Sequence, residues 1–131
     1  MNQYVDTILK FMPKSQAIFF IKGLRGSESS YFNEVAKKIS EVIEKAPAIY
    51  ETDGEGEEVK PIIHYFYGNV DIYITEVDKY SREHFGYTDI GYGLEAGYVN
   101  LEYIFKSLPL INLDFNFVPE TISKYRRKYE G

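Results

Sequence analysis

The spacing of hydrophobic positions changes period several times along this chain, and each change marks an element. Val5, Ile8, Leu9 and Met12 fall at i, i+3, i+4 and i+7. That spacing predicts a short amphipathic helix over residues 2–12, closed by Pro13. In "QAIFFIKG" the apolar run predicts a buried strand over 17–22, ended by Gly23. "GLRGSESS" follows as a loop. From Ser30, a good N-cap, Tyr31, Phe32, Val35, Ala36, Ile39, Val42, Ile43 and Ala46 form one wide apolar stripe, with Lys37, Lys38, Glu41, Glu44 and Lys45 opposite. This is the clearest helix in the chain, and Pro47 stops it.

"ETDGEGEE" is polar and glycine-bearing and reads as an exposed, mobile stretch. After Pro61 the period becomes two. "IIHYFYGNVDIYITEV" contains two apolar alternating runs around Gly68-Asn69, and a Gly-first pair suits a type II′ hairpin turn. Val70, Ile72 and Ile74 share one face; Asp71, Tyr73 and Thr75 share the other. "DKYSRE" reads as a loop. Residues 84–89 and 94–99 then predict two strands joined by a turn over 90–93, and Asn100 can cap a short helix, "LEYIFKSL", before Pro109. "INLDFNF" alternates again, with Ile111, Leu113, Phe115 and Phe117 inward and Asn112, Asp114 and Asn116 outward. Pro119 suits the first turn of a terminal helix with Ile122, Tyr125 and Tyr129 on one side.

Strands and helices are partly segregated. The expected fold is therefore α+β, a mainly antiparallel sheet of about five to six strands with one long amphipathic helix packed on it and short helices at both ends. At 131 residues this is one domain, 1–131. Within it stand an N-terminal helix–strand–helix unit (1–45), a strand-rich region (46–121) and a terminal basic helix (119–131).

Composition narrows the chemistry. There is no cysteine, which excludes disulfides, thiolate zinc sites and thiol nucleophiles. No basic start leads into an apolar run, and no apolar run approaches a membrane span, so a cytoplasmic protein without a membrane partner is expected. Thirteen tyrosines and nine phenylalanines are an unusual load. Tyr suits recognition surfaces, and it also covers sheet faces. The net charge of −5 is unevenly placed. Residues 61–118 hold three basic residues (Lys79, Arg82, Lys106) against eight acidic ones. Such a middle repels phosphates and attracts a basic surface. Direct contact with nucleic acid is expected only through the tail, Lys124, Arg126, Arg127 and Lys128.

"HFGYTDIGYGLEAGYVNLEYI" resembles a phosphate-binding loop at first sight. Gly91, Gly93 and Gly97 give G-x-G-x-x-x-G, however, with a strand following and no Lys or Arg between Arg82 and Lys106. The glycines are read as turn and strand-bend positions. "KGLRGSESS", between Lys22 and the long helix, is a second candidate for anion binding, but it lacks the P-loop pattern and reads as a capped turn. His64 and His84 have no paired-His spacing, and no serine sits in a nucleophile elbow. No cofactor and no catalytic set is assigned. Carboxylates are the remaining candidates: Glu76, Asp78, Glu83, Asp89, Glu95 and Asp114 could in pairs hold Mg²⁺ or act as acid and base, or simply face solvent.

Five pieces in order, "PAIYETD" (47–53), "IYITEVD" (72–78), "HFGY" (84–87), "EAGYVNLEYI" (95–104) and "LDFNFVP" (113–119), resemble domain-of-unknown-function family 2958 over residues 46–121. Its members are small bacterial proteins frequent on plasmids, phages and integrated mobile elements. The first 45 residues lie outside the resemblance. It implies a mobile-element setting and carries over no catalytic residue.

The leading expectation is a non-enzymatic protein-binding module. It would act through an acidic, Tyr-rich surface made of Asp71, Tyr73, Glu76, Asp78, Tyr87, Asp89, Tyr92 and Glu95. Its partner would be a protein with a basic surface, such as the nucleic-acid groove of a host defence nuclease. The alternatives are a metal-assisted hydrolase or nucleic-acid-processing enzyme using Glu76, Asp78 and Asp114 or His84, and a structural accessory domain whose acidity maintains solubility.

Overall fold

The computed structural model describes residues 2–130, with side chains described through Arg126. Three helices come first: α1 (Gln3–Leu9), α2 (Lys14–Leu24) and α3 (Ser29–Glu44). A 3₁₀ turn (Gly56–Glu58) leads into β1 (Ile63–Tyr67), β2 (Val70–Glu76), β3 (Glu83–Asp89) and β4 (Leu94–Asn100). Then come α4 (Leu101–Ser107), β5 (Asn112–Leu113) and α5 (Ile122–Glu130). The five strands form one antiparallel sheet in the order β4-β3-β2-β1-β5. The fold is α+β, as the patterning predicts.

One face of the sheet carries Ile63, Tyr65, Ile72, Ile74, Val99 and Leu113, and the stripe of α3 (Phe32, Val35, Ala36, Ile39, Ile43) packs on it together with α1 and Phe20 of α2. The opposite face carries Tyr73, Tyr87 and Leu94, covered by Val59, by Ile122 of α5 and by the half-buried Phe117 and Tyr125. Tyr73 stacks on Tyr125 at 4.3 Å between ring centroids. β2 is therefore buried on both sides from Ile72 to Glu76.

The β1–β2 hairpin closes as expected. Tyr67 pairs with Val70, and of the two turn residues only Gly68 has positive φ (57°), the signature of a type II′ turn. Asn100 caps α4 by accepting the Tyr103 N–H.

Four expectations need correction. Residues 17–22 are helical, part of α2. A short apolar run does not distinguish strand from buried helix. Here Phe20 is buried while Phe19 and Ile18 face outward, and Gly23 leaves room for the Phe32 ring, which a Cβ would overlap. Buried Gln16 then serves the sheet from the helix, donating to the Leu113 carbonyl (2.9 Å) and accepting the Leu113 N–H (2.8 Å). It closes the outer edge of β5 as a neighbouring strand would.

The long helix starts at Ser29 after Glu28, with no side-chain cap from Ser30. Only Asn112 and Leu113 of "INLDFNF" are strand: Asp114 accepts the Asn116 N–H (2.9 Å), an Asx-type turn that curls the chain out of the ladder. The last helix begins at Ile122 and not at Pro119, since the Ile122 N–H is committed to the Val59 carbonyl and the Thr121 hydroxyl accepts the Lys124 N–H.

The glycines of residues 84–104 are architectural. Gly86 lies where β3 crosses Ile74, just before a register shift between Ile74 and Glu76. A Cβ there would overlap the Tyr73 carbonyl oxygen and sit 2.9 Å from the Ile74 Cα. Gly97, directly opposite Gly86 on β4, has nothing within 4 Å of its would-be Cβ. Gly86→Ala is therefore expected to destabilise by more than about 2 kcal/mol through backbone displacement, and Gly97→Ala to stay within about 0.5 kcal/mol. Urea unfolding of the two variants side by side checks this, and equal losses would contradict the packing described.

Candidate functional site

The hairpin ends 68–69 and 90–93 lie at the same end of the sheet, because Asp71 is the β2 partner of Asp89 in β3 and Asp89 is the partner of Leu94 in β4. There Asp71, Asp89, Tyr92 and Glu95 line one open cleft of about 700 Å³, walled on another side by Arg126 from α5.

Each group in the cleft has a distinct environment. Asp89 is 2 % exposed. Its Oδ1 accepts the N–H groups of Gly91 (2.7 Å) and Gly93 (3.0 Å), and both glycines have positive φ near 108°. An internal carboxylate thus occupies the N–H pair that would otherwise attract a phosphate. Asp71 is about a quarter exposed and contacts His64 Nε2 at 2.7 Å, while His64 Nδ1 lies 3.0 Å from Asp114 Oδ2. The His64 ring stacks on Tyr73 at 4.7 Å. Glu95 is exposed, and Tyr92 is 92 % exposed at the rim. Arg126 makes a bidentate pair with Glu57 (2.7–2.9 Å), which ties α5 to the 3₁₀ turn and pulls the Glu57 carboxyl below the usual carboxylate range through that hydrogen bond. The cleft thus presents three carboxylates beside an exposed ring, a chemistry suited to a guanidinium or ammonium group.

The remaining predicted residues are placed elsewhere. Tyr73 and Tyr87 are buried between the sheet and α5. Glu76 is 3 % exposed and anchors the loop before the 3₁₀ turn: it accepts the N–H groups of Tyr50 (2.9 Å) and Thr52 (2.9 Å) and the Thr52 hydroxyl. Burial pushes its carboxyl up, but the three donors together outweigh burial and hold it below its ordinary value. They also fix Tyr50 at φ 74°, with its hydroxyl 2.9 Å from that of Tyr98. The stretch expected to be mobile is thus tethered at Glu76 and at Arg126.

Asp78 lies at the opposite end of the sheet, in the β2–β3 connection, where its N–H donates to Nδ1 of buried His84 (3.2 Å). Burial, against the smaller pull of Asp78, lowers His84 to about 4. Glu76, Asp78, Asp114 and His84 do not converge, and among the described residues no group of three or more acidic or histidine side chains could hold a metal ion. Of the tail, Lys124 pairs with Glu120 and Arg126 with Glu57. Arg127 and Lys128 lie outside the described side chains. Among the described residues no helix is long and apolar enough to cross a membrane.

Neither family models, curated proteins nor solved structures give a match to this chain.

His84 and Glu76 both titrate below their ordinary values in the fold. Each supports the fold at neutral pH and loses that support on acidification. For His84 the loss runs from pH 6.5 down to about 4 and is on the order of 3 kcal/mol; for Glu76 it sets in below its ordinary 4.5. Urea unfolding between pH 8 and 3 should show wild-type stability falling already below pH 6.5, with that upper segment absent in His84→Gln. Glu76→Gln should keep the upper segment and lose about 1–3 kcal/mol at pH 7. A wild-type midpoint constant from pH 7 to 5 would contradict a buried neutral His84.

Proposed function

We propose that the chain is a non-enzymatic protein-binding module that captures a basic protein segment in the acidic cleft. The observation that carries this reading is the convergence of Asp71, Asp89, Glu95 and Tyr92 on one open cleft, from three strands and a turn. Charges so gathered reinforce one another and steer an oppositely charged partner. The rim supports it further: Tyr92 and Ile90 are exposed at the turn that joins β3 and β4, and rigid aromatic side chains such as Tyr92 serve as interface anchors. Asp89 and Asp71 supply field from fixed positions, whereas Glu95 and Tyr92 make the direct contacts.

The resemblance to a family of plasmid and phage proteins supports a narrower version. In it the partner is a host defence effector whose nucleic-acid groove is basic, and the module inhibits it by taking the place of phosphates.

The variant that tests the reading is Tyr92→Ala/Glu95→Lys, both exposed positions that leave the fold intact. A tagged wild-type chain should capture a protein from nuclease-treated bacterial lysate, released by added salt. The double variant, with unchanged thermal unfolding, should lose that capture at least tenfold, and Arg82→Gln at the far end of the sheet should not. Equal capture by the double variant overturns the cleft as the binding site, and capture that depends on nucleic acid overturns the protein partner.

A further inference from the structure

At the other end of the sheet a second cavity, about 370 Å³, opens between α1, the end of α3 and the β2–β3 connection. Its size falls within the range of small-molecule sites. Residues 61–118 hold only three basic residues, and two of them, Lys79 and Arg82, line this cavity together with Lys10, the residue after α1. Lys79 donates to the Glu44 carbonyl (2.8 Å). Lys10 and Arg82 make no ion pair and no side-chain hydrogen bond with any described residue.

His84 supplies the second, independent observation. The residue is 1 % exposed and is seated against Phe11, with ring centroids 5.3 Å apart. Its Nδ1 accepts the Asp78 N–H, so the ring proton is on Nε2. Nε2 has no partner among the described residues and is not sealed off from solvent, and His84 is part of the cavity lining. A buried, oriented N–H donor therefore opens on the same space as two unpaired cations. The two carboxylates nearby are already engaged. Asp78 accepts the Tyr80 N–H (2.8 Å) and the Ser81 hydroxyl (3.1 Å), and Glu44 accepts the Thr7 hydroxyl (3.5 Å). Phe11, Ile43 and Val77 give the cavity an apolar wall.

We infer that this cavity binds a phosphate monoester of nucleoside-monophosphate size, its phosphate held by Arg82, Lys10 and the His84 Nε2–H and its body against the apolar wall. A guanidinium and a neutral N–H donor both serve a phosphate, and neither serves a cation. The body accounts for a cavity larger than a bare phosphate needs. This site is separate from the acidic cleft and does not rest on the protein-binding reading.

The test is an NMR titration of the full chain with inorganic phosphate, adenosine monophosphate and adenosine, following backbone amides and the His84 side chain. Expected are shifts confined to His84, Arg82, Ser81 and the end of α1. Adenosine monophosphate should bind more tightly than phosphate, and adenosine should bind at least tenfold more weakly than its monophosphate. Arg82→Gln and Lys10→Gln, both exposed positions, should each weaken the monophosphate about tenfold or more with an otherwise native spectrum. Absence of shifts at millimolar ligand, shifts elsewhere, or adenosine binding as well as its monophosphate overturns the inference. So does unchanged affinity in both variants. Shifts with phosphate that the monophosphate does not strengthen overturn the size of the ligand.

Discussion

The structure depends on one constraint: β2 is covered on both faces. Between Ile72 and Glu76 every side chain must satisfy a buried environment on one side or the other. Ile72 and Ile74 do so against the helical layer, and Tyr73 against α5. Glu76 arrives on the α5 side through the register shift after Ile74 and cannot remain unpaired there, because an uncompensated buried carboxylate is costly. Three donors from residues 50–52 meet it. The same interaction that makes the charge tolerable thus organises the loop leading to the 3₁₀ turn, and through Glu57 and Arg126 that turn holds α5 on the sheet.

This constraint also decides where function can reside. Polar groups of the central strands that meet a covering layer or a turn are consumed by the fold, Glu76 and Asp89 among them, and the accessible charges lie around the two ends of the sheet. The two ends have opposite character. Asp71, Asp89 and Glu95 collect beside the hairpin turns, and Lys10, Lys79 and Arg82 beside the β2–β3 connection. A strand of seven residues sets the ends roughly 20 Å apart. At physiological ionic strength charges are screened beyond about 8 Å, so the two ends act as independent electrostatic sites. The net charge of the chain therefore describes neither end.

Much of this was legible in the residues. The stripe of α3, the II′ hairpin, the capping of α4 by Asn100 and the two strands around Gly91-Tyr92-Gly93 each rest on local chemistry that tertiary packing did not overrule. Residues 17–22 form helix where the pattern predicts strand because their apolar residues are continuous, and continuity carries no period; Gly23 against Phe32 settles the matter only in three dimensions. β5 is shorter than its alternating pattern because the Asp114 carboxylate turns the chain. For the site, acidity and tyrosine content do not say which side chains are exposed. Period two separates the faces of a strand and says nothing about whether a face is covered. The covering element, α5, is far away in sequence, and no local signal announces that it buries Tyr73 and Tyr87. The cavity at His84 has no motif at all, since its groups come from α1 and the residues after it, the end of α3, the β2–β3 connection and β3.

α5 links these observations. Ile122 and Tyr125 give it an apolar seat on the sheet, and Arg126, one residue later, reaches both Glu57 and the acidic cleft. One helical turn thus does two things that would otherwise conflict. It shields the tyrosine face, which left bare would be an apolar patch prone to association. It also places a cation beside carboxylates that would otherwise repel one another. The bidentate pair with Glu57 keeps that guanidinium at the wall, so that it trims the field of the cleft without filling it. An acidic cleft built this way can stay open and folded in the absence of a partner, because part of its electrostatic strain is relieved from within the chain.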